Sequence, residues 1–122
     1  MLDYDMELCK AVYDLTGWGD YDTDVDNRLR YRFSRGPYAG VPMYSIDFLL
    51  DKLPGCMPGL GDFRLQYGYR RGISVFEAAF GTTVAYSENP LCALLNLIVE
   101  LSEIGLLEKY KSNFLEFEEI TI

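Results

Sequence analysis

"FRLQYGYRRGISVFEAAFGTTVAYS", residues 63–87, decides the fold. Successive side chains of an extended strand point to opposite faces, so Phe63, Leu65, Tyr67 and Tyr69 fall on one side and Arg64, Gln66, Gly68 and Arg70 on the other. That alternation predicts a half-buried strand. "RRG" then turns the chain into "ISVFEAAF" and "FGT" turns it again into "TVAYS", so short strands joined by tight turns predict an antiparallel meander. Such a sheet needs cover on a face.

The cover follows directly in "ENPLCALLNLIVEL", residues 88–101. Asn89 is a good N-cap, and Pro90 suits the first helical position, where its missing N–H has no partner to lose. Leu91, Leu94, Leu95, Ile98 and Leu101 recur at the spacing of one buried stripe. Gly105 either stops this helix or interrupts it before "LLEKYKSNF", and the ending "LEFEEITI" has strand-like alternation at Ile120 and Ile122.

Upstream, Asp3 or Asp5 caps a first helix whose apolar face is Leu8, Cys9, Val12 and Leu15, and Gly17 ends it just before Trp18, a large anchor. A Gly- and Pro-rich segment then runs to Pro42, with "GPYAGVP" excluded from regular structure. Ser45 caps "IDFLLDKL", in which Ile46, Leu49, Leu50 and Leu53 share a face until "PGCMPGLG" breaks the helix. The expected architecture is a single α+β domain over residues 1–122, a small antiparallel β-sheet with helices packed on it. Its core covers residues 5–105, with an insert at 19–42 and a C-terminal extension at 106–122.

At 122 residues with 49% hydrophobic content, one core forms without metal or disulfide help. The balance of 11 basic against 19 acidic residues, a net charge of −8, disfavours direct binding to a phosphate backbone. Cys9, Cys56 and Cys92 are odd in number and show no metal or redox spacing, which points to reduced thiols in a cytoplasm, with Cys9 and Cys92 as small buried hydrophobes. The apolar run from Leu91 to Val99 is too short for a bilayer and contains Asn96, and the acidic start "MLDYDMELCK" is unlike a signal peptide, so no membrane partner is expected.

The charges are segregated. In "DYDTDVDNRLRYRFSR", residues 20–35, Asp20, Asp22, Asp24 and Asp26 are followed at the same even spacing by Arg28, Arg30 and Arg32. A calcium loop is excluded, because its required Gly and Glu would be Val25 and Tyr31 in one register and Asn27 and Phe33 in the other. Two readings of the strip stay open. A hairpin turning at Asp26 and Asn27 sets Asp24 against Arg30 and Asp22 against Arg32 as internal charge matching; an open loop makes the strip a binding surface.

Catalytic chemistry is hard to assemble here, since the chain has no His, no Walker loop and no GxGxxG motif, so the reading is non-enzymatic with no cofactor and no metal.

Gly17–Trp18, the helix start "VPMYSID" with Met43 between Pro42 and Tyr44, and "ENPLCALLNLIVEL" with Pro90 and Ala93 in register resemble the phage ABA-sandwich domain family of small phage and prophage proteins, over roughly residues 5–105. The resemblance implies mobile-element origin and an α-β-α sandwich, but no activity. The chain departs from the family in the charged insert after Trp18 and in the tail beyond Gly105.

The expected function is that of a non-catalytic phage or prophage interaction protein in the host cytoplasm. It would inhibit a host protein with a basic surface, such as the nucleic-acid-binding groove of a CRISPR effector, through Asp20, Asp22, Asp24 and Asp26, whose spacing in an extended chain, ~6–7 Å, approaches the phosphate repeat. Two rivals are a sponge for a phosphorylated nucleotide, built from Arg28, Arg30, Arg32, Arg64 and Arg70 with Tyr31, Tyr67 and Tyr69 as stacking platforms, and a structural module that oligomerises through exposed aromatics.

Overall fold

The computed structural model describes residues 5–22, 24, 26–31, 33–57 and 59–105. Its sheet has four antiparallel strands in sequence order, β1 (Cys56–Met57), β2 (Gly61–Arg70), β3 (Ile73–Phe80) and β4 (Thr83–Ser87). The meander is therefore present, extended by a short strand within the segment read as a helix break, where Cys56 pairs with Asp62 and Met57 with Gly61.

Turn chemistry sets the register. Arg70 pairs with Ile73, and the intervening Arg71 and Gly72 both adopt left-handed φ, 55° and 80°, which a two-residue hairpin turn of this hand demands. Phe80 pairs with Thr83 through Gly81 and Thr82. Gly81 has φ 58°, and a Cβ there would lie 1.8 Å from the Leu60 carbonyl oxygen, so only glycine fits this turn.

Three helices complete the α+β fold: α1 (Met6–Thr16), α2 (Ile46–Lys52) and α3 (Pro90–Glu103). The Asn89 side chain accepts from the Leu91 and Cys92 N–H groups at 2.8 and 3.4 Å, and Pro90 opens α3 as the sequence predicts. All five predicted stripe residues are buried, and so are Ala93 and Leu97 on the adjoining face. The stripe is wide because α3 packs against four elements, β3 and β4 of the sheet and the helices α1 and α2. Each fully buried leucine or isoleucine contributes about 1.5–3 kcal/mol of transfer free energy, which makes α3 the centre of the core.

The outer helices show where periodicity misleads. Asp5 caps α1, and Gly17 closes it in the left-handed conformation with its N–H on the Tyr13 carbonyl at 2.8 Å. The buried face, however, is Met6, Cys9 and Val12, with Leu15 exposed. In α2, Ser45 caps the Phe48 N–H at 3.1 Å, and Phe48 and Leu49 are buried while Leu50 is exposed. Phe48 wins the inward position because it stacks on the buried Tyr44 ring, 5.8 Å between centroids at 25°. The Tyr44 hydroxyl donates to the Trp18 carbonyl at 2.7 Å, which anchors the chain after α1.

Cys9 is fully buried, and burial pushes its thiol up to about 11; Cys92 is half-buried and Cys56 exposed. The expectations for the extension at 106–122, including Ile120 and Ile122, lie outside the described residues.

Candidate functional site

Among the described residues of 20–33, the acidic and basic halves do not face each other across a ladder. The Asp24 N–H donates to the Asp20 carbonyl at 2.9 Å and the Leu29 N–H to the Asp26 carbonyl at 3.1 Å, so the strip is wound into turns. Its one described bridge pairs Arg30 with Met43. The carboxylates consequently lack the spacing of an extended chain.

Charge matching is internal, but its partners sit largely on α2. The Arg28 guanidinium holds both Asp26 oxygens, at 3.0 and 2.6 Å, and reaches Asp51 with its other amino group. Lys52 meets Asp24 at 2.8 Å, and the same carboxylate oxygen accepts from the Gly19 N–H at 2.9 Å. Arg28 and Lys52 both lie over the Phe48 ring, 5.7 and 5.3 Å from its centroid. The strip is thus pinned to the second helix.

Protonation follows that geometry. Hydrogen bonds from Arg28 hold the Asp26 carboxyl down to about 2 and raise the Arg28 guanidinium further. Partial burial opposes the charge on Asp24, yet Lys52 and the Gly19 N–H hold its carboxyl below the ordinary range. Asp20 accepts from the Tyr13 hydroxyl at 3.0 Å and from the Asp22 N–H at 2.9 Å. The Tyr13 hydroxyl is raised, first by that hydrogen bond. Three of the four aspartates therefore hold internal partners, and Asp22 stands exposed at the surface.

The arginines and tyrosines of the nucleotide reading fall into two groups. Arg28, Arg30 and Tyr31 belong to the strip: Arg30 donates to the Asn27 and Leu29 carbonyls at 3.2 and 3.4 Å, and the Tyr31 hydroxyl donates to the Gly19 carbonyl. Arg32 lies outside the described residues. Arg64, Arg70, Tyr67 and Tyr69 belong to β2. There Arg64 pairs with Glu77 at 2.9 Å and donates to the Gly81 carbonyl at 3.0 Å, while Arg70 lies 4.1 Å from the centroid of the Tyr86 ring. The depression between Gly68, Arg70, Glu77 and Tyr86 measures ≈ 120 Å³, well below the ~300–1,000 Å³ of small-molecule sites. Arg28, Arg30 and Tyr31 do not line it.

What the alternation of residues 63–70 conceals is how far this strand outruns its cover. β4 pairs with β3 only over Phe76–Phe80, so the hairpin end beyond it projects. Tyr67 is 63% exposed, Tyr69 81% and Ile73 52%. Phe76 packs on Tyr67 with ring centroids 4.8 Å apart, which stiffens the projection. Lys10, Arg28, Lys52 and Arg64 each meet a carboxylate, whereas Arg70 and Arg71 at this tip meet none among the described residues. Two signals in the sequence pointed here: adjacent arginines at a turn in a strongly acidic chain, and a glycine in mid-strand.

Among the described residues no three His, Cys, Asp or Glu side chains come together as a metal-binding group, and no helix is long and apolar enough to cross a membrane. Compared with known protein families, curated proteins and solved structures, the chain matches none of them.

Proposed function

We propose that this chain is a non-catalytic protein-interaction module that engages its partner through the projecting end of the β2–β3 hairpin. The observation that carries this reading is the tip itself: Tyr67, Tyr69 and Ile73 exposed beside Arg70 and Arg71, with no carboxylate to neutralise either arginine among the described residues. Tyrosine and arginine are enriched among the residues that carry interface energy: tyrosine buries a large surface at low entropy cost and offers a polar tip, and arginine brings a planar fork of five donors. Exposed aromatics in a cluster mark a contact surface more often than isolated ones do.

Inhibition of a host protein is the proposed role, suggested by the resemblance to small phage proteins. The net charge of −8 would accelerate encounter with a target whose overall surface is basic, such as a nucleic-acid-binding one, while the tip itself, basic through Arg70 and Arg71, contacts an acidic segment of that target. Asp20, Asp24 and Asp26 are less suited to be its contact points, since each already holds an internal partner.

The test is capture of partners from bacterial lysate by the purified protein and two variants. Replacing Tyr69 and Ile73 by Ser is expected to abolish capture while leaving the fold intact, and Asp22→Asn is expected to leave it unchanged. Capture that survives the first variant and disappears with the second would move the interface to the acidic strip.

A further inference from the structure

Among the described residues, the outer edge of β2 is unpaired for most of its length. β1 covers Gly61 and Asp62, and the Phe63 N–H donates to the Gly55 carbonyl at 2.8 Å, on the side away from β3. Backbone groups in a strand alternate in direction, so Leu65, Tyr67 and Tyr69 direct N–H and C=O outward along that same edge. No described backbone group pairs with them. Edge strands of natural sheets are commonly blunted by proline, lysine or a bulge. Residues 63–70 contain neither residue, and their register with β3 runs unbroken.

The two faces flanking this edge differ in chemistry. Arg70 lies on one face, with Arg71 next to it at the turn and Gly68 leaving open space between Arg70 and Gln66. Tyr67 and Tyr69 lie on the opposite face. An added strand would place its own alternate residues beside these two sets.

Resting on the interaction reading above, we propose that β2 binds its partner by strand addition. Its ligand is an extended segment of a partner protein that alternates acidic with apolar residues. Carboxylates on one side of the segment would meet Arg70 and Arg71, the two tip cations that meet no carboxylate among the described residues, and apolar side chains on the other would pack beside Tyr67 and Tyr69. The backbone supplies affinity and the charge pattern supplies selection.

The test uses the full chain and two fluorescently labelled decapeptides, one alternating Glu with Val and the other Lys with Val, with binding followed by anisotropy. The Glu/Val peptide is expected to bind at least about tenfold more tightly, and its advantage should shrink as salt rises. Tyr67→Pro removes an outward N–H without touching the β2–β3 ladder and is expected to abolish binding. Because proline can also disturb the strand, the surface double variant Arg70→Gln, Arg71→Gln serves as the second probe and should lose the preference for Glu/Val. Absence of Glu/Val binding, equal binding of both peptides, or a preference untouched by the arginine changes would each overturn strand addition. If that occurs while the Tyr69 and Ile73 replacement still abolishes partner capture, the interaction reading stands alone; if capture also survives, the tip is not the interface.

Discussion

The two ends of one hairpin differ more than its sequence suggests. At the base, Phe63 and Leu65 lie across from Phe80 and Ala78, with the Phe63 and Phe80 rings 5.2 Å apart and α3 packed over β3 and β4. At the tip, Tyr67 and Tyr69 continue the same alternation opposite Phe76 and Ser74, yet both tyrosines are largely exposed. Side-chain chemistry changes little between the two. Burial is decided by cover: β4 stops at Ser87, and the ladder of β3 with β4 reaches no farther along β3 than Phe76. A period-two pattern therefore assigns faces, while the length of neighbouring elements decides how much of a face becomes core.

The largest expected effect belongs to the covered end. Leu95→Ala and Ile98→Ala should each cost ~2–4 kcal/mol, because both side chains are fully buried in α3 and their removal leaves cavities that the sheet and α1 cannot collapse into. Chemical denaturation measures this, and midpoints within ~0.5 kcal/mol of the parent chain would break the assignment of α3 as the core element.

The two turns sharpen the contrast. Gly81→Ala, at the base, drives a Cβ into the Leu60 carbonyl and should cost more than ~2 kcal/mol, while Gly72→Ala, at the tip, meets nothing within 4 Å and should cost only the left-handed backbone strain of ~1–2 kcal/mol. Equal losses would mean that the tip is as constrained as the base.

The strip supplies a pH-dependent effect. Asp26 is held down to about 2 by Arg28, and Asp24 is lowered against the opposing effect of its burial. A carboxylate depressed on folding contributes stability that is fully present above its unfolded pKa and is lost as pH falls through its folded one. Melting temperature should accordingly drop between about pH 4 and pH 2, and Asp26→Asn should flatten part of that drop; an acid profile unchanged by the substitution would mean that the Asp26–Arg28 pair adds nothing to stability. The smallest effect is expected at the tip, where Tyr69→Ser should alter stability by less than ~0.5 kcal/mol, as for other exposed substitutions.

Local physics made much of this fold legible in the sequence. Asn89 with Pro90, Ser45, Asp5 and Gly17 fix helix ends through hydrogen bonds to residues a few positions away, and the two turns follow from glycines that accept left-handed φ. Non-local choices were not legible. Phe48 rather than Leu50 turns inward because Tyr44 offers it a ring, and beyond the local Asp26–Arg28 pair the strip is matched by Asp51 and Lys52, more than twenty residues along the chain. The candidate site was half legible: Tyr67, Tyr69 and Arg70 were singled out, but their exposure depends on where β4 and α3 end.

Residue-resolved amide hydrogen exchange on β2, in the free protein and with the Glu/Val peptide, tests the open edge most directly. In the free protein the N–H groups of Tyr67 and Tyr69 should exchange rapidly and those of Gln66 and Gly68, directed at β3, slowly; adding the peptide should slow Tyr67 and Tyr69 selectively. Equal protection of all four amides in the free chain, or no slowing of the two tyrosines at saturating peptide, would contradict the account.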